Sequence, residues 1–410
     1  VRVLFTTWAS PSHLFPMVPL AWAFQAAGHE VRVAVPPNCT AHVSGAGLTP
    51  VAIGPVPGAM AGSGQGQAKG QLKVWHSQRS WPADWPLHLD RLDEGQLGLL
   101  QALVDRQAVT AEAMVPELLE FARHFGPDLI VRDAGTYAAA VVADLLGVPL
   151  ASHQWGSPAV LDVEHSAPGG EAWPGYRALF EKFGAQADDG TGVFVDPCPP
   201  SLQLPTPATR LNTRIVSYNG PGELPDWLRK EPEAPRVCIT WGVTAGKLDP
   251  KSALPAPLLG AAHSLAAAGL EVVLAVTEAQ RELLGELPSG IRTVSMLPLH
   301  LLLPTCAAVA HQGGGGTAMT AVAAGTPQLI LSPRPEQMLT GDRLTGAGAA
   351  RHVPYNELIE DERAGQRVHE DVLALVEDPA HRDAAARLRE ESQAQPSPAR
   401  TAERLLELVR

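Results

Sequence analysis

The sequence predicts an α/β fold of two parallel-sheet domains facing a central cleft, and three observations lead there. Its 410 residues are more than one hydrophobic core usually organises and suit two domains of roughly 200 residues each. Short Val/Ile/Leu runs alternate with helix-forming stretches throughout, the pattern of β-α-β units. Prolines cluster over 196–235, in Asp196-Pro-Cys-Pro-Pro200 and at Pro221, Pro225, Pro232 and Pro235, as in a linker between two such series.

The first series opens with a strand over 1–6, a loop over 7–15, a helix over 16–27 and a strand over 31–35. Pro16 suits the first helical turn, and Gly28 suits the position after the last. The opening loop carries no glycine but holds Trp8, Ser12 and His13, which suit an organic ligand better than a phosphate. Five glycines over 57–70 predict a mobile surface loop. A helix over 96–125 comes next, then a strand over 128–131, Asp133 in the following loop, a helix over 137–146 and a strand over 148–152.

The second series places strands over 236–240, 271–276 and 291–294, with a helix over 252–268. A last helix over 399–409 follows Pro396 and Pro398 and is placed to cross back onto the first domain. The organisation is therefore a first domain over 1–205, a linker over 206–235, a second domain over 236–395 and a crossover helix over 396–410. Two such domains would leave one cleft between the carboxyl ends of their strands.

The most informative stretch is Val309-Ala-His-Gln-Gly-Gly-Gly-Gly-Thr317. Residues 307–310 read as a buried strand and 317–324 as a helix, so four glycines connect them. Four consecutive glycines are costly to order. A ligand that needs close approach to the backbone accounts for them, with exposed N–H groups and the positive end of the helix dipole meeting a phosphate, and His311 at the lip adding a donor. A diphosphate is the first expectation. Gly313-x-Gly315-x-x-Ala318 also imitates a dinucleotide fingerprint, with Glu336 near the ribose-binding position. That reading, a dehydrogenase, fits poorly, because dinucleotide glycines usually occupy the first turn of their domain.

A formal net charge of -12 argues against a nucleic-acid partner. The four cysteines, Cys39, Cys198, Cys238 and Cys306, have no paired spacing, which suggests neither zinc nor a redox pair and fits a reducing cytoplasm. No run reaches the ~20 apolar residues a membrane span needs, and the opening residues read as a strand rather than as a secretory leader, so neither secretion nor membrane insertion is expected. Seven of the nine tryptophans fall at or before residue 173, so a flat apolar ligand would be gripped in the first domain.

These residues resemble the family 1 glycosyltransferases of the GT-B fold, and among them the bacterial enzymes that attach sugars to antibiotic and polyketide aglycones. Four features carry the resemblance over nearly the whole chain: His13 with Pro16 and Gly28-His-Glu-Val31; Pro199-Pro-Ser-Leu202 with Tyr218-Asn-Gly220; Pro298-Leu-His300 with Cys306 and the glycine turn; and Gly325-Thr-Pro-Gln328 with Glu336-Gln337.

The resemblance implies two Rossmann-like domains, an acceptor-binding first and a nucleotide-sugar-binding second, and inverting transfer of a sugar from a dTDP or UDP donor. It makes His13 the general base, an imidazole being the side chain whose protonation changes near neutral pH, with Asp133 as its partner. Donor contacts would come from Thr240, Gly242, Thr244, Met296, Leu297, His311, Gly313, Gly314, Gly315, Gly316, Thr317, Glu336 and Gln337. Trp8, Ser12, Phe15, Trp75 and Trp155 would face a hydrophobic aglycone. No metal or resident cofactor is implied, and Asp-x-Asp, a metal motif of the other main glycosyltransferase fold, is absent from the sequence. A homodimer is left open.

Three residues depart from the family pattern. Met296 stands where an aromatic base-stacking residue is usual. Val243 follows Gly242 where a phosphate-binding hydroxyl is usual, so Thr244 or Thr240 must serve. Glu336 replaces the commoner Asp, which suits a less hydroxylated donor such as a deoxysugar. Competing expectations are a nucleotide-sugar epimerase of the same fold and a catalytically degenerate partner of another transferase. His300 and His369 read as structural.

Overall fold

Strands form where the apolar runs are, and their order decides where a ligand can sit. The computed structural model describes residues 1–8, 10–55, 81–156, 163–188, 190–242 and 254–409. The first sheet is built from β1 (Arg2–Thr6), β2 (Glu30–Val35), β3 (Pro50–Ala52), β4 (Leu129–Asp133), β5 (Leu150–His153), β6 (Val193–Asp196) and β7 (Thr209–Asn212), in the order β3-β2-β1-β4-β5-β6-β7. The second holds β8 (Arg236–Thr240), β9 (Glu271–Val276), β10 (Ile291–Ser295), β11 (Ala308–His311), β12 (Gln328–Ser332) and β13 (Ala350–Pro354), in the order β10-β9-β8-β11-β12-β13. Every pairing is parallel.

In each sheet the connections run outward in opposite directions from one pair of neighbouring strands, β1 beside β4 and β8 beside β11. The loops leaving the carboxyl ends of such a pair part company and open a crevice. His13 follows β1 and Asp133 ends β4, while Gly242 follows β8 and the glycine turn follows β11. Both groups of candidate residues therefore lie at topological switch points.

Both faces of the first sheet are covered. On one, the helix Glu94–Phe125 buries Leu100, Val104, Ala111, Val115 and Leu118 against the helix Tyr137–Leu146. Asp93 starts the long helix with a capping box, its side chain accepting from Gln96 N while Gln96 caps Asp93 N in return. On the other face, the helix Val18–Ala26 packs with Ala402 and Leu405 of the helix Pro398–Leu406. The C-terminal helix thus crosses back onto the first domain, as expected.

Some boundaries differ from those the sequence suggests. β7 pairs with β6 in the first sheet, so that domain continues through Asn212 rather than ending at 205. Helical structure begins at Pro11, not Pro16: a helical turn over Pro11–Leu14 runs through the 3-10 turn Phe15–Met17 into the helix Val18–Ala26. His13 is therefore on a helical turn and not in a loop. Asp133 is the last residue of β4, and the helix after the glycine turn spans Gly315–Ala324, beginning within the glycines. The glycine-rich stretch 57–70 and the start of the helix expected from 252 lie outside the described residues.

Candidate active site

Asp133 is completely buried, and its carboxylate is surrounded by donors. His13 Nδ1 lies 3.0 Å from Oδ1, the Gly135 amide donates to the same oxygen at 3.0 Å, and the Thr136 hydroxyl donates to Oδ2. Burial alone would raise the carboxyl's pKa, but the His13 hydrogen bond and charge, with the Thr136 and Thr7 hydroxyls, bring it below the usual value. An ionised carboxylate only accepts, so Nδ1 of His13 carries the proton and Nε2 is left as the basic nitrogen. The imidazole stands between two indoles: its centroid is 4.2 Å from the Trp155 ring and 5.2 Å from the Trp8 ring. Packing against the indoles and the contacts at Nδ1, with Asp133 at 3.0 Å and with Trp8 Nε1 at 3.3 Å, together fix its plane.

Across the cleft, Gly314 caps the helix Gly315–Ala324, whose first-turn amides have no partner within the helix. The four glycines have separate reasons. Gly313 has φ +84°, and a Cβ there would crowd Ile330 Cγ2 at 2.9 Å. A Cβ on Gly315 would lie 2.8 Å from the Trp155 carbonyl oxygen and 3.0 Å from the Gly156 carbonyl carbon, so this glycine lets the two domains meet backbone to backbone. One on Gly314 would reach the flexible end of Gln312. At Gly316 a Cβ would meet nothing within 4 Å, and that space opens into the cleft.

His311 is not the lip donor the sequence suggested. Its side chain is fully buried, Nδ1 accepts from the Gly313 amide at 3.0 Å, and Nε2 donates to Gln328 Oε1 at 2.9 Å. Burial lowers its pKa to about 4, which keeps it neutral. Both nitrogens are used in pinning the turn from behind, so neither is free for a phosphate.

The helix Pro335–Gly346 begins beside the turn. In the amide orientation that satisfies both its ends, Gln337 donates to the Gln312 carbonyl at 3.1 Å and accepts from Arg334 Nη2 at 2.8 Å. Arg334 also lies 3.3 Å from Glu336 Oε1. Glu336 Oε2 and Gln312 Oε1 are buried in the cleft wall without a partner among the described residues. Such acceptors are costly to bury unless a ligand donates to them. Met296, 65% exposed at φ +55°, and Leu297 line the same cleft.

All of these groups border one cavity of about 680 Å³. Trp8, Ser12, Phe15 and Trp155 line its first-domain side, and Thr240, Gly242 and Thr317 its second-domain side. Thr240 is buried, its Oγ1 accepting from the Gly242 amide at 3.4 Å. Thr244 and Trp75 lie outside the described residues. His300 ties to Asn219 Oδ1 at 3.0 Å and His369 to Ser264 at 3.0 Å, both structural as expected. The sequence reading missed Arg106, His153, Gln312 and Arg334, which also line the cavity. Gln312 sits inside the glycine-turn motif but carries no signal of its own there, and Arg106, His153 and Arg334 belong to no recognisable motif, so only the tertiary fold aims them inward.

Sequence profiles of the erythromycin biosynthesis protein CIII-like family match this chain over 22–242 for the N-terminal domain and 260–408 for the C-terminal domain. The chain belongs to the EryCIII-like family. This EryCIII-like glycosyltransferase is 34% identical to the 3-alpha-mycarosylerythronolide B desosaminyl transferase of Saccharopolyspora erythraea, across 97% of this chain and 96% of that protein. It is 35% identical to the aklavinone 7-beta-L-rhodosaminyltransferase of Streptomyces galilaeus, across 97% and 94%. Among solved structures, the glycosyltransferase VinC in complex with dTDP aligns with a TM-score of 0.79 at 28% identity, over 100% of this chain and 99% of that one. The spinosyn rhamnosyltransferase SpnG complexed with spinosyn aglycone aligns with a TM-score of 0.79 at 30% identity, over 99% and 100%. The EryCIII-like glycosyltransferase accordingly has the GT-B fold. No helix among its described residues is long and apolar enough to cross a membrane.

Proposed function

We propose that this enzyme transfers a deoxysugar from a dTDP donor to a hydroxyl of a hydrophobic polyketide aglycone, with inversion and without a metal. The observation that carries this reading is the His13–Asp133 pair, set in the same cleft as the N-terminus of the helix Gly315–Ala324. The dTDP complex of VinC and the spinosyn aglycone complex of SpnG support a dTDP donor and an aglycone acceptor.

In this reading the aglycone lies on the Trp8 and Trp155 side, and its hydroxyl proton passes to His13 Nε2. The freed electron pair forms the new bond to the anomeric carbon as the bond from that carbon to the diphosphate oxygen breaks. Its electrons leave with the nucleoside diphosphate. Asp133 stabilises the imidazolium that results. The amides of Gly315, Gly316 and Thr317, with the helix dipole, take the growing charge of the leaving group, which makes a metal unnecessary. Glu336 and Gln337 hold the sugar, and Met296 and Leu297 meet the base. A single displacement of this kind inverts the anomeric centre. The intact dyad argues against a degenerate partner, and an epimerase has no use for the aromatic wall on the acceptor side.

His13→Ala should lower kcat by about 10²–10⁴-fold while leaving dTDP affinity, measured by calorimetry without magnesium, within twofold of wild type. A retained kcat would remove His13 from the chemistry. NMR of the product's anomeric proton decides between inversion and retention.

A further inference from the structure

Arg106 lies in mid-helix on Glu94–Phe125, a helix whose fully buried residues are all apolar, and it faces the cavity beside Gln107. Its guanidinium lines the acceptor side of the cavity, with Cζ 5.9 Å from the centroid of the Trp8 ring. Of the other two arginines that line the cavity, Arg334 pairs with Glu336 at 3.3 Å, while the half-buried Arg214 lies on the linker, away from the Trp8 and His13 wall. Arg106 has no carboxylate and no hydrogen-bond acceptor for its guanidinium among the described residues; its favourable neighbours are the indole face of Trp8 and the phenol of Tyr137.

A guanidinium cannot shed its proton to escape burial, and a charge taken from water without a partner is costly. Burial above all, and the Arg334 charge, act against its protonated form, Tyr137 offsets part of this, and the group remains a cation. The Trp8 face offsets part of that cost, but it supplies none of the oxygen acceptors that five fixed N–H donors can use. An occupant of the cavity can supply them. The position of Arg106 identifies which occupant: its guanidinium sits over the indole that flanks His13, on a first-domain helix, whereas the diphosphate cradle is on the second domain.

We propose that Arg106 is a specificity residue for the acceptor, binding an anionic oxygen of the aglycone, such as a carboxylate or an ionised phenol or enol, and so orienting its flat ring system against Trp8. This rests on the reading of the cleft as a glycosyl-transfer site. Arg106 touches the part of the acceptor remote from the reacting hydroxyl, so its loss raises the acceptor KM far more than it lowers kcat.

The test uses anthraquinone-2-carboxylate and its carboxamide, flat probes that differ in charge, titrated into the full chain by calorimetry at neutral pH. The wild type is expected to prefer the carboxylate by about tenfold, roughly one buried charge-assisted hydrogen bond. Arg106→Gln should reduce the preference below twofold with dTDP affinity unchanged, which also reports that the variant is folded. Arg106→Lys should keep several-fold of it. Equal affinities in the wild type, or a preference that survives in Arg106→Gln, would overturn the proposal. A loss of dTDP binding in Arg106→Gln, with the carboxylate preference kept, would assign the residue to the donor and overturn it too. Failure of the wild type to bind dTDP would instead defeat the donor reading, and the carboxylate comparison would still stand by itself.

Discussion

At the scale of single residues, acid separates the histidines of the cleft region. His311 and His153 are both fully buried, and burial lowers each from the ordinary 6.5 to about 4. The unfolded chain takes up these protons near pH 6.5 and the folded chain only near pH 4, so the stability they contribute is complete above 6.5 and is lost as pH falls toward 4. Each shift corresponds to about 3 kcal/mol. The melting temperature should therefore drop between pH 6.5 and 4, and His311→Ala should flatten that drop while costing about 1–3 kcal/mol at neutral pH through the stranded Gly313 amide and Gln328 oxygen. An unchanged slope in the variant would contradict the buried-neutral state. The sequence alone suggested a donor at the lip for this residue. The motif marks which residues gather at the turn, but whether a side chain faces the ligand or props the loop depends on the neighbouring strand, here Gln328 of β12.

At the scale of elements, the glycine turn allows a clean separation of folding from binding. Gly316→Ala adds a methyl where no protein atom lies within 4 Å and improves a helical position, so stability should hold or rise by up to about 1 kcal/mol. If the space belongs to the diphosphate, dTDP affinity should fall at least tenfold in the same variant. Unchanged affinity would place the phosphates elsewhere. Gly315→Ala should lose both stability and activity, since its Cβ would strike backbone of the facing domain. Elements with long apolar runs and clear stops were legible residue by residue, as for Tyr137–Leu146, Arg236–Thr240 and Glu271–Val276. The start of the helical stretch at Pro11 was not. Two prolines compete for the first turn, and Pro16 is accommodated inside the helical run by a 3-10 turn that sequence does not announce. β7 escaped for a similar reason: Thr209–Asn212 is a short, mostly polar edge strand without alternation to betray it.

For the whole molecule, the two domains are tied by several polar links and by the last helix. Asn219 bonds both His300 and Thr320, Arg343 donates to the Ser201 and Gln203 carbonyls, and Glu391 holds Ser201. Leu405, fully buried, enters the core of the first domain from the far end of the chain. Leu405→Ala should cost about 2–5 kcal/mol and expose the first domain to proteolysis, although the change lies almost two hundred residues from the nearest strand of that sheet. Cleavage confined to the second domain would contradict this coupling. The crossing itself could be read from Pro396, Pro398 and the helix after them, whereas Arg106 could not: nothing in an amphipathic stretch tells which charged residue turns toward a cleft made by distant parts of the chain.

Trp155 occupies a place that gives this architecture a mechanical character. Its ring packs on His13, and its carbonyl oxygen abuts Gly315, where the helix Gly315–Ala324 begins. One residue is therefore a strut between the proposed base and the proposed diphosphate wall. In the proposed mechanism a movement of that wall would reach the imidazole through a span of one amino acid, so emptying the donor side and resetting the base would be a single stroke.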